Sequence, residues 1–277
     1  MDQFERDGLI FDVWDLGPPA GQAVILLHGY PQTKAAWSDV APALAEAGYH
    51  VLVPDQRGYS PGARPRGRRQ YTIERLVEDV LALADAAGAP RFHVVGHDWG
   101  GAVAWGCAMW HPDRVRTVTS LTVPHPRAFL RALLTSRQFF QSWYALFFLL
   151  PVLPEATARF GPARRWFERT LVRTGLPEKN LAEYRAAMDQ PGATTAAINW
   201  YRAGPLTPPT RYRSVSVPTL YVYATGDIAL GRRAADLTAR YVTGPYTYEV
   251  LEAVGHWIPE AAPAAVVDLL LAHLQQA

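Results

Sequence analysis

In the run Gly96-His97-Asp98-Trp99-Gly100-Gly101, small residues stand two before, two after and three after an aspartate. The run follows an apolar stretch, Arg91–Gly96, that reads as a buried strand, and it opens helical spacing from Trp99 to Trp110. A strand that turns sharply into a helix exposes one side chain above a sheet, and glycines are needed where the two backbones pass closely. The exposed group here is a carboxylate. Asp98 is ionised at neutral pH and needs no base before it attacks; it suits displacement at saturated carbon, which leaves an alkyl ester on the enzyme. Hydrolysing that ester then requires a base to activate water. The competing reading is an aspartate that caps the helix behind it.

Composition narrows the other chemistries. The chain has 277 residues, and Cys107 is its one cysteine, which rules out an intrachain disulfide and any multi-cysteine metal site. Lys34 and Lys179 are the only lysines beside 25 arginines, so amine chemistry has two candidates. No histidine–carboxylate spacing suggests a metal, and no cofactor is expected. A net charge of +2 implies no strong pull toward nucleic acid or anionic lipid. The N-terminus is acidic where a signal peptide would be basic. The longest apolar run, Trp143 to Leu150, is far short of the roughly 20 residues a bilayer span needs. A cytoplasmic protein without membrane contact, monomeric or homodimeric, is the expectation.

Elements must hold these groups in place. Strand-like runs at 11–16, 23–27, 49–53, 91–96 and 115–123 alternate with helical spacing at 37–47, 72–87 and 99–110, which predicts parallel β-α-β units. At Pro124-His125-Pro126 the alternation stops. From there to about Arg213 the chain is aromatic, helical in spacing and interrupted by prolines. Strands at 219–223 and 246–251 and helices at 232–241 and 263–274 then resume the pattern. The expected fold is α/β, with a core of residues 1–124 and 214–277 carrying a helical insertion at 125–213.

Four further motifs stand in order. They are His28-Gly29-Tyr30-Pro31, Asp55-Gln56-Arg57-Gly58-Tyr59-Ser60, Gly226-Asp227 after a strand, and Gly255-His256-Trp257 near the C-terminus. With the Asp98 turn they resemble the α/β-hydrolase superfamily, in its branch with an aspartate nucleophile, and the epoxide hydrolases most closely. The resemblance implies an α/β-hydrolase fold, a mostly parallel sheet flanked by helices, with the insertion as a helical cap. It implies Asp98 as nucleophile, His256 as base and Asp227 as the acid that orients it. Glu252 and Asp236 are the alternatives for the acid. The other position some relatives use, after the strand ending near Val123, carries no carboxylate here. Backbone N–H groups of Tyr30 and Trp99 would form the oxyanion hole. His28 is read as structural, and His97 as turned away from the site.

Epoxide hydrolases use two cap tyrosines to protonate the opening oxygen. Asn199-Trp200-Tyr201-Arg202 and Trp143-Tyr144-Ala145-Leu146-Phe147-Phe148 resemble the stretches that carry them, which implies Tyr201 and Tyr144. A haloalkane or haloacid dehalogenase with the same nucleophile is the alternative, and a non-catalytic ligand-binding protein of this fold the second. Tyr30 stands where many haloalkane dehalogenases have asparagine. Trp99 stands where fluoroacetate dehalogenases have arginine. The expected partners are water and a small apolar epoxide, lined by Trp99, Phe139, Trp143, Phe147, Trp200 and Trp257.

Overall fold

The computed structural model describes residues 1–159 and 161–276. Its strands are β1 (Gln3–Arg6), β2 (Leu9–Leu16), β3 (Ala23–Leu27), β4 (His50–Pro54), β5 (Phe92–His97), β6 (Val115–Leu121), β7 (Thr219–Ala224) and β8 (Tyr246–Leu251). They form one sheet in the order β1-β2-β4-β3-β5-β6-β7-β8. β2 pairs antiparallel with β1 and β4, and all other pairs are parallel. The short apolar runs 23–27 and 50–54 are buried along their whole length, as strands covered on both faces must be. Alternate residues of β3 serve opposite faces: Ile25 and Leu27 join the cluster of Val77 and Trp105, while Val24 and Leu26 join that of Trp37, Leu44 and Leu270.

The core helices before β6 are α1 (Ala41–Glu46), α2 (Ile73–Ala86) and α3 (Trp99–Trp110). Between β6 and β7 the chain forms α4 (Pro126–Thr135), α5 (Gln138–Gln141), α6 (Trp143–Phe148), α7 (Leu153–Arg159), α8 (Gly161–Arg173), α9 (Glu178–Asp189) and α10 (Ala193–Ala203), with no strand among the described residues. After β7 come α11 (Arg232–Thr238), α12 (Ile258–Ala261) and α13 (Pro263–Leu274).

Three elements differ from expectation. The helix expected at 37–47 is split into a 3-10 turn, Lys34–Trp37, and α1. Pro42 is the reason, since proline lacks the N–H an inner helical turn needs and fits only the first one. The helix expected at 232–241 ends at Thr238 and tightens into a 3-10 turn. β1 was not foreseen; its hairpin to β2 turns on Asp7 and Gly8, both at positive φ, the conformation that an Asp-Gly pair favours.

Two arrangements place the site. β4 and β5 flank β3 on opposite sides, so the loops leaving the carboxyl ends of β3 and β5 diverge and open a crevice. The loop after β4 is braced from below: Arg57 Nε and Nη2 donate to the two oxygens of Asp79 on α2 at 2.7 and 2.6 Å. The Arg57 carbonyl in turn accepts the indole N–H of Trp200 at 2.8 Å, which anchors α10 over the sheet. Asp79→Ala would leave the Arg57 guanidinium buried without its carboxylate. It should cost about 3–5 kcal/mol of stability, measured by denaturant unfolding.

Candidate active site

β5 ends at His97, and Asp98 then takes φ 50 and ψ −124, a region that L side chains seldom enter. Flanking glycines make the turn possible. A Cβ on Gly96 would collide with the Gly100 backbone, and one on Gly100 with the carbonyls of Leu27 and His28. Asp98 occupies the N-cap position of α3, yet its side chain makes no capping hydrogen bond. Its Oδ1 instead accepts the Tyr30 N–H at 2.8 Å from the loop after β3. The capping reading therefore fails on geometry.

The other carboxylate oxygen faces a histidine. His256 Nε2 lies 3.5 Å from Asp98 Oδ2, and its Nδ1 lies 2.8 Å from Asp227 Oδ2. Asp227, at the end of β7, has a fully enclosed side chain whose Oδ1 accepts the N–H groups of Ala229 and Leu230 at 2.7 and 3.1 Å. Glu252 and Asp236 are engaged elsewhere, by Thr225 and by Arg232. Asp227 is thus the carboxylate paired with His256 Nδ1.

α6 and α10 bring two phenols to the same place. The Tyr201 ring is 5.0 Å from that of Trp99, 5.6 Å from Tyr30 and 6.3 Å from Tyr144. Burial first, and then the charge of Asp98, raise both phenols well above their ordinary value, so each keeps its proton. Burial alone would also raise Asp98. The hydrogen bond and charge of His256, with the Tyr30 N–H, outweigh it and hold the carboxyl below the usual range. Burial opposes charge on His256 too, but Asp227 and Asp98 together push it up to about 10.

A second layer escaped the sequence reading. His97 is not turned away: its Nε2 lies 2.8 Å from the His256 carbonyl and its Nδ1 2.9 Å from Gln32 Oε1. Burial lowers its pKa to about 3, so the ring is neutral. Gln32 Oε1 also accepts the Gly29 N–H at 2.7 Å, and Gln32 Nε2 donates to Glu260 Oε1, which takes a further bond from the Tyr184 hydroxyl on α9. The available signal was spacing alone, Gln32 beside the turn after β3 and Glu260 four residues beyond His256. His28 is structural as expected, its ring accepting the Gln56 N–H. Among the described residues no group of three or more His, Cys, Asp or Glu could hold a metal ion.

A family model for the alpha/beta hydrolase fold matches residues 22–263. The chain belongs to the α/β-hydrolase family. Its relatives include Epoxide hydrolase A of Mycobacterium tuberculosis, 33% identical over 98% of this chain and 95% of that one. AB hydrolase superfamily protein YfhM of Bacillus subtilis is also 33% identical, over 97% and 96%. The crystal structure of Epoxide Hydrolase A from Mycobacterium thermoresistibile superposes with a TM-score of 0.84 at 29% identity, covering 99% of this chain and 97% of that one. The protein is an epoxide hydrolase-like enzyme of this family.

In this α/β hydrolase the expected substrate-lining aromatics divide. Trp99 and Phe147 are half-buried against the cluster that holds Tyr144 and Tyr201. Phe139 and Trp143 are instead 54% and 56% exposed. Trp143 precedes the inward Tyr144 by one residue, a rotation of about 100° on a helix, which points it outward. Trp200 is fully buried, with its N–H on the Arg57 carbonyl and its ring edge-on to Trp99 at 6.0 Å, so it anchors α10 beside the site. Trp257 packs edge-on against the His256 ring at 5.1 Å and donates to Thr174 Oγ1 at 2.9 Å, so it supports the histidine.

Two outcomes follow for this hydrolase. A Cβ on Gly29 would collide with the Asp98 carboxylate, so Gly29→Ala should displace it and lower turnover about 100-fold, measured on protein whose circular dichroism is unchanged. Asp98→Asn removes one anion beside His256, so the imidazole should titrate below about 10. NMR of the ring nitrogens reads that midpoint.

Proposed function

We propose that this α/β hydrolase opens an apolar epoxide to a vicinal diol through an ester on Asp98. The reading rests on one convergence: a bare carboxylate faced by two protonated phenols and backed by a histidine–carboxylate pair. Tyr144 and Tyr201 hold the epoxide oxygen by hydrogen bonds. Asp98 Oδ2 attacks the less hindered ring carbon; the C–O bond to that carbon breaks, and one phenol gives its proton to the departing alkoxide. Oδ1 stays with the Tyr30 N–H throughout.

The first step prepares the second. Esterification removes the negative charge of Asp98, one of the two that hold the His256 proton. The imidazole pKa then falls, the proton returns to the phenolate, and neutral His256 becomes the base. Held by Asp227, it takes a proton from water as the water oxygen bonds to the ester carbonyl carbon. The oxyanion forms against the N–H groups of Tyr30 and of Trp99, the first residue of α3, whose N–H has no partner within the helix. Collapse breaks the bond between the Asp98 carbonyl carbon and Oδ2; the departing diol oxygen takes the proton held by His256, and the Asp98 carboxylic acid then gives its own proton to the imidazole, which restores the carboxylate and the imidazolium. No metal or organic cofactor enters the scheme. Residues 125–213 act as the cap that closes over the carboxylate.

Displacement of a halide would need only N–H donors and would leave both phenols without a task, which favours the epoxide. Three measurements test the proposal. His256→Gln, incubated with an apolar epoxide, should accumulate an adduct on Asp98 visible by mass spectrometry; its absence across a varied epoxide panel would overturn the scheme. In a single turnover in ¹⁸O water the diol should be unlabelled and Asp98 labelled, and the reverse contradicts the ester. Tyr201→Phe should lower kcat about 100-fold or more, and the double change with Tyr144→Phe should lower it further.

A further inference from the structure

Solvent-exposed apolar side chains are unevenly distributed over this chain. Of the fourteen large ones exposed among the described residues, nine lie between Leu134 and Leu153, with Leu134 89% and Phe140 74% exposed. They fall on α4, α5, α6 and the turn that leads into α7, with Leu153 its first residue. α6 is two-sided: Tyr144 and Phe148 face inward, while Trp143, Leu146 and, beyond the helix, Leu150 share the spacing of one outer stripe. A patch of this density marks a surface made to be covered.

Charge is segregated in the same region. Residues 126–176 hold eight arginines and two glutamates, +6 in a chain whose net charge is +2, so the remainder carries −4. Both glutamates are already engaged inside the fold, Glu155 by Arg202 and Glu168 by Arg164 and Arg185. Arg131, Arg137, Arg165 and Arg169 are exposed and form no ion pair among the described residues. Arg131 lies three residues from Leu134 on α4, and Arg165 and Arg169 bracket the exposed Trp166 on α8. Trp, Phe and Leu bordered by arginine is the composition that settles into an anionic bilayer interface. A second copy is the poorer occupant, because a two-fold contact through this face would bring the arginines of residues 126–148 together with no carboxylate in that stretch to pair them.

We infer that the outer face of α4–α6 docks on the surface of an anionic lipid bilayer, with the flanking arginines on the headgroups and the apolar side chains at the acyl boundary. Nothing spans the bilayer; no helix among the described residues is long and apolar enough to cross one. The low net charge that argued against lipid attraction hides this separation of charge.

Sedimentation of the full chain with vesicles tests the inference. Phosphatidylcholine vesicles containing about 30% phosphatidylglycerol should bind the protein at about 50 mM salt and release most of it at about 500 mM. Pure phosphatidylcholine vesicles should bind it at least about 10-fold more weakly. Arg131→Glu with Arg137→Glu, and separately Phe140→Ser with Leu146→Ser, should each lower partitioning about 10-fold or more while leaving the circular dichroism unchanged. No binding to the anionic vesicles at low salt, binding indifferent to both pairs of changes, or a stable dimer that Phe140→Ser with Leu146→Ser dissociates, would each overturn the inference.

Discussion

To act as proposed, Asp98 must stay charged where water is scarce, and it must not be engaged in holding the fold. Those demands oppose each other, because burial favours the protonated acid. At Asp98 the conflict is resolved by partners of two kinds. One peptide N–H, from Tyr30, fixes one oxygen, and an imidazole that two carboxylates keep protonated faces the other. The side chain remains 14% accessible, enough to meet a ligand without being flooded by solvent. Gly29, Gly96 and Gly100 give way so that this geometry is sterically possible.

Elements far from the carboxylate serve the same end. The ion pair of Arg57 with Asp79 fixes a loop, the loop carbonyl holds Trp200, and Trp200 sets the orientation of the helix whose next residue is Tyr201. On the other side, His97 and Gln32 tie the histidine loop to the turn after β3. Each link is a hydrogen bond or ion pair, so Tyr201 and His256 inherit their positions from the carboxyl ends of the central strands and from α2.

Much of this was legible in residue order. Parallel strands buried on both faces leave nearly pure apolar runs, and 23–27 is bounded correctly from such a run; the half-buried edge strand 246–251 is bounded correctly as well. The glycine frame around Asp98 was readable because close backbone crossing admits no other residue. Orientation was less accessible. Phe139, Trp143, Trp200 and Trp257 have the composition of a substrate pocket, but a short helix turned by one residue sends an aromatic to solvent, and an indole N–H is as readily bound by a carbonyl as left for a ligand. Polar networks were the least visible. Gln32, His97, Glu260 and Tyr184 are distant in sequence, and nothing local to any of them announces the others.

Glu260 gives that network an acid–base character of its own. Buried between Gln32 and Tyr184, its carboxyl is raised mainly by desolvation from an ordinary 4.5 to about 7, and its Oε2 has no partner among the described residues. A carboxyl that ionises more easily in the unfolded chain than in the folded one draws the equilibrium toward unfolding as pH climbs. Its stabilising share is complete below about 4.5 and is lost as pH rises through about 7. The seam between α9 and the turn after β3 is thus the part of the fold that a rise in pH through neutrality loosens.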